Sequence, residues 1–167
     1  MGAILKKILL ILFLTSSISL FAQSFSTGTQ TLLSGLTANI NIDADTDTTT
    51  LTLTGPSNAW FAIGFGNSDM GGTDVFRTNG STIVDAYSNG NALPAQDASQ
   101  DWDLVSNTVS GSNRTIVATR ANNTGDSNDH IFNASAGSLS VIYAKGSSTS
   151  YAYHGGANRG FTTLSVT

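Results

Sequence analysis

Leu36-Thr37-Ala38-Asn39-Ile40-Asn41-Ile42, followed after an acidic break by Thr49-Thr50-Leu51-Thr52-Leu53-Thr54, decides the fold. Apolar and polar residues alternate through both runs, so each forms a strand with one apolar and one polar face. Asp43-Ala44-Asp45-Thr46-Asp47 lies between them and has the composition of a turn, which predicts a hairpin. Working outward, further strand candidates are residues 59–65, 74–77, 82–88, 102–109, 115–120, 139–144, 150–154 and 161–166. Gly, Asn, Ser and Asp clusters separate them at short intervals, as in sandwiches and barrels. No stretch after residue 22 sustains a 3.6-residue apolar period, and the abundance of Thr and Ser favours strands. The expected architecture is all-β, a nearly helix-free two-sheet antiparallel sandwich.

The chain has 167 residues with 17 Gly, 2 Pro and no Cys, enough for one core. Without cysteine there can be no disulfide, thiolate metal site, covalent haem attachment or cysteine nucleophile. All 11 acidic residues are Asp, so the glutamates of an H-E-x-x-H metalloprotease or of an EF-hand are missing.

Residues 1–22 read as a secretory signal peptide. Lys6 and Lys7 supply the positive start, Ile8 through Leu14 the apolar run, and Phe21-Ala22-Gln23 a cleavage site, although Leu20 is atypical before it. The apolar run is too short for a bilayer, which needs about 20 residues. The expected product is secreted or periplasmic, is not membrane-bound after cleavage, and consists of one domain over residues 23–167. It keeps five cations (Arg77, Arg114, Arg120, Lys145, Arg159) against 11 Asp, a charge of −6. Such a surface repels phosphate backbones, so nucleic acid is excluded as a partner.

Gly64-Phe65-Gly66 has Asp69 where a dinucleotide loop needs its third glycine, and no helix follows. The Asp43, Asp45, Asp47 triplet begins like a calcium loop, but Thr48 and Thr54 replace the turn glycine and the closing acid. A solvated turn is the better reading. The pairs Asp101 with Asp103 and Asp126 with Asp129 sit in turn-rich sequence and read as turn formers before glycosidase acids. With no G-x-S-x-G elbow and no Ser/His/Asp arrangement, an enzyme is not expected.

Scarcity is more informative. Past residue 22 there is one methionine, Met70, in the loop Gly66-Asn67-Ser68-Asp69-Met70-Gly71-Gly72, and there are two histidines, His130 and His154. His154 closes Tyr151-Ala152-Tyr153-His154 and precedes Gly155-Gly156. A thioether and an imidazole are the axial pair of low-spin cytochromes. On spacing alone, Met70 also reads as a gap-filling core residue and His154 as a hydrogen-bonded surface histidine.

Five segments in order resemble the DOMON family, in its b-type cytochrome branch (the cellobiose dehydrogenase haem-domain type). Trp60-Phe61-Ala62-Ile63-Gly64-Phe65-Gly66 is similar to the family's W-x-A-x-G-F-G strand, and Met70-Gly71-Gly72-Thr73-Asp74-Val75 to its M-x-G-x-D-V segment. Arg120, Thr124-Gly125-Asp126 and Asp129 match R…T-G-D-x-x-D. Val141-Ile142-Tyr143-Ala144-Lys145-Gly146 resembles W-A-x-G with Tyr143 for Trp, and Tyr153-His154 with Arg159-Gly160 matches H…R-G.

The resemblance implies an immunoglobulin-like sandwich that binds haem b, with Met70 and His154 as iron ligands and electron transfer as the function. Trp60, Phe65 and Tyr153 are the expected pocket aromatics, with Arg159 or Arg77 pairing a propionate. Asp74, Arg120, Asp126 and Asp129 are expected to be structural, and His130 to be a surface residue. The redox partner would be a separate protein or a small redox molecule. The alternative is a carbohydrate-binding or adhesive module without haem, using an exposed Trp102 or Tyr87 to stack on sugar rings.

Overall fold

The computed structural model describes residues 23–167, so the expected signal segment lies outside the described residues. Twelve strands form two antiparallel sheets: β1 (Ser24–Ser26), β2 (Gln30–Leu33), β3 (Leu36–Asp43), β4 (Thr48–Pro56), β5 (Phe61–Phe65), β6 (Gly71–Thr78), β7 (Ile83–Asn89), β8 (Ala95–Gln96), β9 (Asp103–Ser110), β10 (Asn113–Ala121), β11 (Gly137–Lys145) and β12 (Arg159–Val166). The first sheet runs β1-β3-β4-β10-β9, with β2 also on β3, and the second runs β12-β11-β5-β6-β7-β8. The described residues contain no α-helix, only a short 3-10 turn at Gly156–Asn158. The architecture is a two-sheet β-sandwich.

The predicted hairpin is β3–β4, with Asp43 opposite Thr48. Asp43 Oδ1 accepts the amides of Asp45 and Thr46, both at 2.9 Å, which makes the acidic break an Asx turn. The alternation becomes burial: Leu36, Ala38, Ile40 and Ile42 face inward from β3, and Leu51 and Leu53 from β4. Opposite them lie Phe61, Ile63 and Phe65 of β5, Phe76 of β6 and Val141 of β11. Burying each large apolar side chain contributes about 1.5–3 kcal/mol.

Gly55 of β4 shows how tightly the layers meet, because a Cβ there would lie 2.5 Å from ring carbons of the fully buried Phe61. Gly55→Ala is expected to cost about 1–3 kcal/mol by overpacking, read as a lower urea midpoint at unchanged m-value.

Two expectations are corrected. Residues 150–154 are not a strand; they belong to an irregular connection between β11 and β12, bounded by a serine-rich run and Gly155-Gly156. Trp102 is not exposed but 5% accessible, packed against Phe65, Phe76 and Phe132.

The second sheet departs from simple alternation at β6, where Thr73 through Thr78 are all buried. Register separates its two faces. Asp74 and Phe76 stand opposite the inward-facing Phe65 and Ile63, so Thr73, Val75 and Arg77 face outward with Ala62, Gly64, Ala86, Ile142 and Ala144. Val75 is 3% and Ala86 1% exposed.

Candidate functional site

Two connections flank the outer face of the second sheet. Met70 belongs to the β5–β6 connection at the Phe65 end of β5, and the segment holding His154 follows Lys145, which pairs with Phe61 at the other end. Five strand residues separate these ends by about 13–17 Å.

The Met70 loop is pinned by its own polar groups. Asn67 Nδ2 donates to the carbonyls of Gly71 (3.2 Å) and Gly72 (2.8 Å), and the Gly71 amide donates to Asp69 Oδ1 at 2.7 Å. Thr73 Oγ1, on the outer face, donates to the Asp69 carbonyl at 2.7 Å, which ties the loop to that face beside the half-buried Met70. On this face the neighbouring side chains close over Gly64. A Cβ on Gly64 would meet Ile142 Cγ1 at 2.7 Å and Thr73 Cγ2 at 2.8 Å.

At the other end, Trp60 anchors the 146–158 segment through backbone bonds to Ser148 and Gly146. Its ring lies 5.9 Å from Tyr151 and 6.4 Å from His154, while Arg77 lies 4.4 Å over the Tyr151 ring. Tyr153, 76% exposed, lies 4.8 Å from the His154 ring. His154 Nδ1 is 2.8 Å from the Gly155 carbonyl. Because a carbonyl can only accept, this bond requires a proton on Nδ1 and leaves Nε2 as the ring nitrogen available to a ligand. Gly155 has φ 73°, a left-handed backbone that suits glycine.

Trp60, Tyr153 and His154 therefore come together, and Arg159 opens β12 opposite Ala144 on the same face. The loop that carries Met70 lies at the far end of β5 and is tied to that face through Thr73. Phe65, expected at the cofactor, instead faces the core, 5.1 Å from Phe132 and 6.0 Å from Trp102. The alternation Phe61, Ile63, Phe65 against Ala62, Gly64 already carried that signal. Phe161 was not singled out, yet it is 67% exposed and opposite Ile142 on the outer face, out of phase with the inward Leu164 and Val166.

The second histidine is not a surface residue. His130 is half-buried, its ring stands edge-on to Phe132 at 5.0 Å, and a Cβ on Gly66 would lie 2.7 Å from its Nδ1. Its amide donates to Asp74 Oδ2 at 2.9 Å, and its carbonyl accepts from Arg120 Nη2 at 2.6 Å. Arg120 reaches across from the first sheet, donates to Asp74 Oδ2 at 2.8 Å, and stacks over Trp102 and Phe132. Thr124 Oγ1 donates to Asp129 Oδ2, and the Asn128 amide to Asp126 Oδ1. The R…T-G-D-x-x-D residues thus fasten the β10–β11 connection to the second sheet.

These buried groups fix a pH dependence. Burial pushes Asp85 up to about 7, and pushes Asp74 up to about 6 against the attraction of Arg120, from an ordinary 3.8. Their contribution is greatest below the unfolded value and is lost as pH rises through 6 and 7. His130 acts oppositely: burial, aided by Arg120, lowers it from 6.5 to about 4, so its contribution is present above 6.5 and lost as pH falls towards 4. Two carboxyls outweigh one imidazole. In chelator-containing buffer the thermal midpoint is expected to fall from about pH 5 to pH 8, most clearly above the ordinary histidine range, and Asp85→Asn should flatten that fall. Scanning calorimetry across the interval checks it.

No curated protein matches this chain. Among solved structures it is similar to the cytochrome domain of Myriococcum thermophilum cellobiose dehydrogenase, with 13% identity, TM-score 0.58, and coverage of 78% of this chain and 74% of that one. It is also similar to the cytochrome b domain of pyranose dehydrogenase from Coprinopsis cinerea, with 17% identity, TM-score 0.56, and coverage of 77% and 76%. At these identities the likeness speaks for the fold. The DOMON domain model matches residues 33–146, more than half of the chain, and the protein belongs to the DOMON family.

Proposed function

We propose that the outer face of the second sheet binds haem b between Met70 and His154, and that the protein is a secreted or periplasmic electron-transfer domain. The observation that carries this reading is the His154 ring, held by the Gly155 carbonyl at 2.8 Å so that Nε2 is the free donor. A carbonyl on the distal nitrogen is the usual outer-shell support of a metal-bound histidine. The donor set also fits: one thioether and one imidazole belong to the segments at the two ends of a face whose floor is Ala62, Gly64, Val75 and Ala144. Trp60 and Tyr153 would form the wall on the histidine side. Arg77, with a buried Nε lacking an acceptor, and the exposed Arg159 would hold the propionates.

Bound haem b supplies a one-electron couple. Met70 and His154 would hold it, and with both engaged the site would favour electron exchange over oxygen chemistry. The partner would be a redox protein or a small redox molecule. The glycan-binding alternative loses Trp102, which is buried, and Tyr87 is only half-exposed. Hemin titration of the purified protein tests the proposal. One equivalent should produce a sharp low-spin Soret band with resolved α and β bands on reduction. A colourless protein that ignores hemin and retains glycans would reverse it.

A further inference from the structure

On the inner side of the same sheet, away from the haem face, Asp74, Asp85 and Asp129 present carboxylate oxygens that lie within 4.8 Å of one another. Acidic residues crowd together on many surfaces, but this group is not on the surface. Asp74 is 3% and Asp85 1% exposed, and Asp74 Oδ1 and Asp85 Oδ1 are buried without any hydrogen-bond donor. Asp85 Oδ2 accepts the Asp101 amide at 3.1 Å, while Asp101 Oδ2 is another buried oxygen without a donor. Carboxylate oxygens removed from water and left unpaired are costly, so a buried cluster of them calls for a cation.

Arg120 covers only part of that need. It pairs with Asp74 at 2.8 Å and Asp129 at 3.4 Å, so when all three carboxyls are ionised they carry two more negative charges than the one guanidinium balances. A cavity of about 250 Å³ opens beside the cluster, lined by Asp74 and Asp129 with Tyr87, Ser127 and Asn128. It gives an ion a way in and gives water ligands room.

We propose that Asp74, Asp85 and Asp129 form a calcium site that clamps the β10–β11 connection onto the second sheet. Oxygen-only donors select a hard cation, the residual charge matches a divalent ion, and an irregular carboxylate set with water suits calcium better than the strict octahedron of magnesium. The Asp43–Asp47 turn is a poorer candidate, because Asp43 Oδ1 is already taken by two backbone amides.

The test is calorimetric titration of calcium into the chelator-treated full protein, with thermal unfolding in parallel. One site is expected, with the midpoint rising by roughly 5–10 °C at a hundredfold excess over Kd. Asp85→Asn should abolish both the heat and the shift, yet melt no lower than the parent in chelator. Asp129→Asn provides the same readout should Asp85→Asn not fold. Asp45→Asn, in the exposed hairpin turn, should keep the full shift. The result should be the same with or without hemin, which separates this proposal from the haem reading. No heat at millimolar calcium, an equal shift with magnesium, or a shift surviving both Asp85→Asn and Asp129→Asn would overturn it.

Discussion

Arg120→Met is expected to destabilise the protein by about 3–5 kcal/mol, the range for removing one partner of a buried ion pair. The Arg120 side chain is 0% and that of Asp74 2% exposed, so the loss leaves the Asp74 carboxylate largely out of water without its partner. Four further contacts disappear with it: Asp129 loses its guanidinium partner, the His130 carbonyl loses its donor, and the rings of Trp102 and Phe132 lose the planar cation stacked over them. Arg120→Lys should rescue little, because an ammonium cannot serve two carboxylates and a carbonyl while lying flat between two rings. Adding Asp74→Asn to Arg120→Met should restore part of the loss, since it removes a charge that no longer has a partner. Urea unfolding in chelator-containing buffer measures all three. A midpoint for Arg120→Met that matches the parent would refute the inter-sheet role of this residue.

His154→Ala carries the second large effect. It removes the only nitrogen donor that the proposed site presents to iron, so hemin affinity should fall by more than about 100-fold, beyond the 10–100-fold that loss of an outer-shell partner alone costs. Any residual complex should be high-spin. Folding stability without hemin should change little, because His154 is half-buried, bonds only to its neighbour Gly155 and lies outside the core. A circular dichroism melt alongside the hemin titration separates the two effects. Equal hemin affinity in the parent and the variant would remove His154 from the site.

Much of the fold was legible because alternation is a local property. The runs at 36–42 and 49–54 became β3 and β4 with the faces as read, and their acidic linker became an Asx turn through the side chain of Asp43. Residues 150–154 misled for the same reason. Tyr151-Ala152-Tyr153-His154 alternates like a strand, but its rings pack sideways on Trp60 and Arg77 instead of entering a ladder. Trp102 was misjudged because its polar sequence neighbours say nothing of Phe65, Phe76 and Phe132, which reach it from distant parts of the chain.

The candidate site divides along the same line. Scarcity exposed Met70 and His154, and strand order puts the loop of the first and the segment of the second at opposite ends of β5. The inward aim of Phe65 could have been taken from the alternation in β5. Asp85 and His130 gave no local sign. Each matters only because Asp74 of β6 or Phe132 of the β10–β11 connection lies beside it, which is a consequence of strand order.

The most direct test of the account is the near-infrared absorption of the ferric hemin complex, where a thioether sulfur on low-spin iron gives a weak charge-transfer band. That band is expected in the parent protein and should disappear in Met70→Leu, with the histidine-bound complex otherwise retained. A parent complex without the band, or a band that persists in Met70→Leu, would contradict ligation by Met70 and His154.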